Sequence, residues 1–232
     1  MSHKSPAAYA GPLAAIILTA QFLLMGLAFF VLSTSINWPA SLDDPAAISL
    51  PRILAQAEAV RLGYGCYLLM ALLLIPATAA LNERLGLRGP LAAITLALAV
   101  LSAMAKVIGI GRWLFVMPGL AQAYATPGAD RATIALVFQT LDSYAGGIGE
   151  VIGVGLITGV WTLLMAGAVF VSPGSVPKVL GGLAFVSGLL LLGSIPAWFG
   201  VDLGPVLTLS NIVWLATLLG IGLWCLRPAR KA

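Results

Sequence analysis

Residues 11–32 read GPLAAIILTAQFLLMGLAFFVL, a stretch with no formal charge. About 20 apolar residues in a helix cross the hydrocarbon core of a bilayer, which is roughly 30 Å thick. Backbone polar groups in hydrocarbon must bond within their own segment, so such a run is helical. It is longer than the roughly 7–15 residues of a signal-peptide core, and we read it as a first membrane helix. Comparable runs recur along the 232 residues. Composition agrees, at 60% hydrophobic and 9% charged with a mean hydropathy of +1.04. Soluble domains carry about 25% charged residues. Charge this sparse cannot cover a water-facing surface. The expected fold is an all-α polytopic membrane helix bundle forming one integral membrane domain, with no soluble appendage.

Six transmembrane helices fit the pattern, over about residues 11–33, 57–81, 91–116, 147–171, 179–198 and 205–226. Pro12, Pro90 and Pro205 stand at or near helix starts, where a missing N–H costs little. NERLGLRGP (82–90) and SPGSVPK (172–178) are turn-rich breaks. Lys and Arg counts set the orientation. With the N-terminus in the cytoplasm, the inner side holds Lys4, Arg84, Arg88, Lys178, Arg227, Arg230 and Lys231. Both termini are therefore expected to be cytoplasmic, in a multi-pass protein of the bacterial inner membrane.

The longer connections then face outward. Residues 34–56 include Trp38, Asp43, Asp44 and Pro51, and a short helix is expected to begin near Pro51. Residues 129–146 have helical periodicity. They either lie along the outer surface or extend the fourth helix, in which case a bend near Gly146–Gly147 is expected. GPLAAI occurs at residues 11–16 and again at 89–94. Chance similarity in an Ala/Leu/Gly-rich chain accounts for this more readily than three stacked hairpins do.

Charges inside the spans carry the functional argument. Lys106 lies roughly 24 Å along an outward-running third helix at 1.5 Å per residue, which puts it in the outer leaflet. Arg112 falls at the outer boundary, beside Trp113. Glu58 and Arg61, three apart, have the spacing of an ion pair on one helix face at the outer end of the second helix. Asp142 precedes the fourth helix and Glu150 lies about one turn inside it. Six groups (Glu58, Arg61, Lys106, Arg112, Asp142 and Glu150) are thus expected at one depth. An isolated charge at the bilayer centre costs at least about 2.5–3.5 kcal/mol. Lys106 and Glu150, the deepest, are expected to contact each other. The cluster reads equally as a hydrated ligand pocket open to the outside or as an ion-pair network that fixes helix packing.

GGIGEVIGVGLITG (146–159) supplies the small-xxx-small pairs Gly149/Gly153 and Gly155/Gly159, which let helices approach closely. A nucleotide-binding GxGxxG reading fails because no strand precedes it. Tyr64, Tyr67 and Tyr144 lie at the same depth and are able to hydrogen-bond a ligand, although interfacial aromatics are commoner. His3 is the lone histidine, which argues against bis-His haem and multi-His zinc chemistry. Cys66 and Cys225 form no CxxC pair. No cofactor is implied. The net charge of +4 reflects cytoplasmic flanks rather than nucleic-acid binding.

VRLGYGCYLLMALLLIPATAAL (60–81) and PGSVPKVLGGLAFVSGLLLLG (173–193) resemble a bacterial family of multi-helix integral membrane proteins known only as a domain of unknown function. The likeness lies in the arginine-led second helix (Arg61) and in the Pro-x-x-Leu-Gly opening of a late helix, Pro177 to Gly181. It implies a helical bundle and supplies no activity. Three functions fit. The protein binds or translocates a small polar or amphipathic ligand at the charged outer pocket, with Lys106, Arg61 and Arg112 on anionic groups and the acids as proton or cation acceptors. Alternatively it is an accessory subunit, with partner subunits or a second copy of itself on its glycine stripes. In the third case it is a lipid-modifying enzyme with a carboxylate acid/base pair. Its immediate surroundings are membrane lipids in every case.

Overall fold

The computed structural model describes residues 7–199, 201 and 204–227, with side chains at 9–196, 199, 201 and 209–227. His3, Lys4, Arg230 and Lys231 lie outside the described residues. The chain is all-helical, with no strand among the described residues. Five helical runs among them are long and apolar enough to cross a membrane: Tyr9–Ile36, Ala57–Leu85, Gly89–Ala125, Arg131–Phe170 and Ser175–Leu192.

Locally these runs are subdivided. The first is α1 (Ala7–Ile36). A short 3-10 turn, Ala40–Asp43, leads to α2 (Ala46–Ala55). This helix starts after Pro45 rather than at Pro51, which it contains. α3 (Ala57–Leu72) and α4 (Leu74–Leu85) form one run interrupted at Leu73. Pro76, three residues on, has no N–H to continue the ladder there. α5 (Gly89–Gly111) passes through a π turn, Arg112–Val116, into α6 (Met117–Ala125). α7 (Arg131–Gly146) continues through a π-helical stretch, Gly147–Thr158, into α8 (Gly159–Phe170). Residues 129–146 thus extend the fourth run, and the change of winding falls at Gly147. α9 (Ser175–Leu192), a 3-10 turn (Ile195–Phe199) and α10 (Gly204–Cys225) complete the chain.

Turn chemistry explains the tight connections. Gly86 closes α4 in the left-handed region at φ 69°, which glycine enters at no steric cost. Leu87 N–H reaches back to the Asn82 carbonyl at 2.8 Å, satisfying a terminal acceptor. The Asn82 amide also bonds the Ala92 carbonyl, and its oxygen accepts from the Thr95 hydroxyl, both at 3.1 Å. These bonds pin the α4–α5 hairpin from both sides.

The helices pack in chain order around a closed ring. α1 contacts α3 and α4, and these contact α5. α5 lies on the Gly147–Thr158 stretch, α8 on α9, α9 on α10, and α10 returns to α1. Hydrogen bonds cross the interior where lipid offers no competing donors. Trp161 Nε1 donates to Thr78 Oγ1 at 3.1 Å, and Trp214 Nε1 to Thr162 Oγ1 at 2.8 Å. The Gln21 amide donates to the Met70 carbonyl at 3.0 Å. Gly11, Arg84 and Cys225 meet at one end of the ring, where Arg84 also donates to the Arg227 carbonyl at 2.9 Å. The turn after α4 and the end of α10 therefore lie on the same side.

Candidate functional site

A close glycine-on-glycine crossing sets the site. A Cβ on Gly109 would stand 2.8 Å from the Gly149 Cα, and one on Gly149 would stand 2.8 Å from the Gly109 Cα. A Cβ on Gly153 would come within 2.9 Å of the Ala105 Cβ. The stripe Ala105/Gly109 is thus seated on Gly149/Gly153. Gly155 and Gly159 serve another face: a Cβ on the first would overlap the Ser194 hydroxyl, and one on the second would meet Leu192.

This register carries Arg112 onto the acids of the neighbouring run. Its Nε donates to Asp142 Oδ1 at 2.8 Å and its Nη2 to Glu150 Oε1 at 2.9 Å. Its Nη1 donates to the Gly109 carbonyl at 3.1 Å. Gly146 lies beneath the guanidinium, where a Cβ would sit 3.2 Å from Nη2. Winding matters here too. Residues eight apart in an unbroken α-helix differ by about 80° around the axis at 3.6 residues per turn. The π stretch begins between Asp142 and Glu150 and turns less per residue, so both carboxylates point toward one cation. Arg112 itself opens the second π turn, just before Pro118. Such turns are frequent at functional sites.

The cluster is graded in exposure: the side chains of Arg112, Asp142 and Glu150 are 4%, 19% and 41% accessible. One guanidinium against two carboxylates leaves a formal charge of −1, with Glu150 the open member. The Arg112 guanidinium also lies 5.4 Å from the centre of the Trp113 ring. That ring stacks on Tyr64 at 5.0 Å and 6°. The Tyr64 hydroxyl is buried and has no hydrogen-bond partner. It lies within electrostatic reach of Arg112 and Glu150, as does the Tyr67 hydroxyl. Asp43, from the turn after α1, lies within reach of both carboxylates.

The six groups expected at one depth therefore separate into three sets. Arg112, Asp142 and Glu150 come together. Glu58 and Arg61 form the pair their spacing predicts, at 2.9 Å, but their side chains are 88% and 55% exposed and face away from the cluster. The buried residues of α3 are Val60, Gly63, Tyr64, Cys66, Met70 and Ala71, so this helix turns a tyrosine rather than a charge inward. The expected Lys106–Glu150 contact is not formed. With Gly109 seated on Gly149, Ala105 and Arg112 face the acids and Lys106 is turned toward α10. There its ammonium lies 5.2 Å from the Trp214 ring centre. Among the described residues no carboxylate pairs with it. Asp43, placed by the sequence in an outer loop, was not grouped with the cluster because it is distant from it in the chain. The described residues hold no cluster of three or more metal-type ligands.

The family described as a domain of unknown function (DUF4386) matches residues 13–227, and the chain belongs to it. No curated protein and no solved structure matches the chain.

Proposed function

We propose that this protein binds, or passes across the outer leaflet, a small amphipathic molecule with a cationic or protonatable head, using the Arg112–Asp142–Glu150 cluster. The observation that carries the reading is the imbalance of that cluster. Arg112 is already shared by two carboxylates, so an incoming anion would meet net negative charge. A cation would find the Glu150 carboxylate, 41% open. Asp43 strengthens the same sign. Trp113, buried against the guanidinium, and Tyr64, stacked on it, back the cluster with an apolar wall. Intramembrane ionisable groups are functional candidates by default.

The same reading makes α10 a sixth span and places both termini in the cytoplasm of a bacterial cell. Support comes from Arg84 and Arg227 meeting beside Gly11, with Arg88 in the turn before α5 and Lys178 in the first turn of α9. A C-terminal fluorescent-protein fusion should fluoresce and an alkaline phosphatase fusion should be inactive; the reverse pattern overturns the orientation.

The ligand class is tested by melting purified protein against alkylammonium and matched alkylsulfonate series. The ammonium series should raise the melting temperature saturably in the wild type and not in Glu150→Gln. Equal shifts from sulfonates, or an unchanged response in Glu150→Gln, would overturn the proposal.

A further inference from the structure

A pair of aromatic residues stands beside the charged cluster and takes no part in holding Arg112. α1 ends at Ile36, and Asn37 adopts the left-handed conformation at φ 61°, which asparagine tolerates better than most side chains. The chain doubles back there, and the Trp38 N–H donates to the Leu32 carbonyl at 3.3 Å. Trp38 is thereby folded down against the bundle. It meets Phe29 edge-on at 5.7 Å, and Tyr67 of α3 edge-on at 6.2 Å and 70°. Trp38 and Tyr67 are each half-buried, and both pack against the two apolar cores of the bundle. They stand at the seam between those cores, with part of each side chain still accessible.

The seam adjoins the acids. The Tyr67 hydroxyl lies within electrostatic reach of Glu150 and Arg112. Asp43, five residues after Trp38, lies within reach of Glu150 and Asp142. One turn of chain thus brings an indole and a carboxylate toward the cluster. Tyr67 is three residues from Tyr64, whose ring stacks on Trp113 beside Arg112, so the seam and the cluster share one depth. One oxygen of Asp142 and one of Glu150 are already taken by the guanidinium.

We infer that this seam receives a methylated, quaternary ammonium head, with the Glu150 carboxylate on one side and the Tyr67 and Trp38 rings on the other. The inference rests on the cation reading above and names the class of cation. A primary ammonium carries three N–H donors, and those left without an acceptor on desolvation are costly. Surroundings that are half acid and half aromatic leave some of them facing rings. A quaternary ammonium has no N–H to satisfy, and its charge is drawn to the negative face of an aromatic ring.

The test compares butyltrimethylammonium with butylammonium, both too short to form micelles, using dissociation constants from the concentration dependence of the melting shift. Wild type should favour the trimethyl compound on the order of tenfold, the effect of cation–π contact at two rings. Tyr67→Leu should bring the ratio toward one, as should Trp38→Leu. Tyr67→Phe keeps the ring and should keep the preference. Monodisperse elution of each variant checks its fold, and either leucine variant alone suffices as a test. Equal affinity for the two compounds in the wild type, or a preference for the primary amine, would overturn this inference while leaving the cation reading intact. So would an unchanged ratio in a folded leucine variant. A wild type that binds neither compound removes the cation reading and this inference together.

Discussion

Gly109→Ala is the sharpest probe of how the bundle positions Arg112. The new methyl would sit 2.8 Å from the Gly149 Cα and 3.2 Å from the Ala145 carbonyl oxygen. Carbon atoms in contact prefer about 3.5–4.0 Å. Both obstacles are backbone, so no side chain can swing aside, and the two helices must part by about 1 Å. Overpacking of this kind costs about 1–3 kcal/mol. Alanine returns about 0.5–1 kcal/mol as the better helix former. Arg112 lies within one turn of the displaced contact. Its bonds of 2.8 and 2.9 Å to the acids would stretch beyond the useful range of about 2.7–3.2 Å. The net expectation is a loss of about 1–3 kcal/mol. Gly26→Ala is the matched control, since nothing lies within 4 Å of its Cβ position; it should gain about 0.5–1 kcal/mol. Reversible unfolding in mixed micelles with increasing dodecyl sulfate compares the two. If Gly109→Ala proves as stable as Gly26→Ala, the close crossing of α5 is not what places Arg112.

Three further outcomes are expected. Arg112→Gln strands two carboxylates. Breaking a buried pair costs about 3–5 kcal/mol, and the openness of Glu150 reduces this to about 2 kcal/mol by solvent screening. Adding Asp142→Asn and Glu150→Gln should restore most of the loss in the same unfolding assay. Thr78→Val leaves the indole N–H of the fully buried Trp161 without its acceptor, costing about 1–3 kcal/mol; the change should add little on a Trp161→Phe background. The Thr133 hydroxyl, and secondly its amide, hold the Asp130 carboxyl below the ordinary aspartate range. The folded state therefore binds that proton less readily than the unfolded one. The cap at the start of α7 should be fully present above the ordinary range and fade as pH falls through the depressed value. Hydrogen exchange at Thr133 should report this fading, and Asp130→Ser should abolish its pH dependence.

The helical spans were legible because hydrocarbon leaves the backbone few options. The Glu58–Arg61 pair was legible because spacing three is a local property. The meeting of Arg112 with Asp142 and Glu150 was half legible: depth along each helix can be counted, but rotation about its axis cannot. Rotation is fixed by the Gly109–Gly149 crossing, and an error there exchanged Lys106 for Arg112. The π winding was only hinted at, by Pro118 just after one stretch and by the glycines of the other, which the sequence reads as packing and a possible bend. Residues 129–146 were ambiguous because paired glycines at 146 and 147 suit a break as well as a continuous helix. Tyr64 gave its depth but not its unpartnered hydroxyl, which depends on what its neighbours omit.

The broad winding between Gly147 and Thr158 has a consequence for how this chain tolerates length changes. It works as a rotational shim between two halves of one rod. The half bearing Asp142 is indexed to α5, and the half bearing Trp161 and Thr162 is indexed to Thr78 and Trp214. Deleting one residue from the shim would shorten the rod by no more than about 1.5 Å but swing one half by somewhat less than the roughly 100° of an α-helical residue relative to the other. Either the acids would leave Arg112 or the indole bonds would break. The number of residues in this stretch is thus under tighter constraint than the identity of most of them.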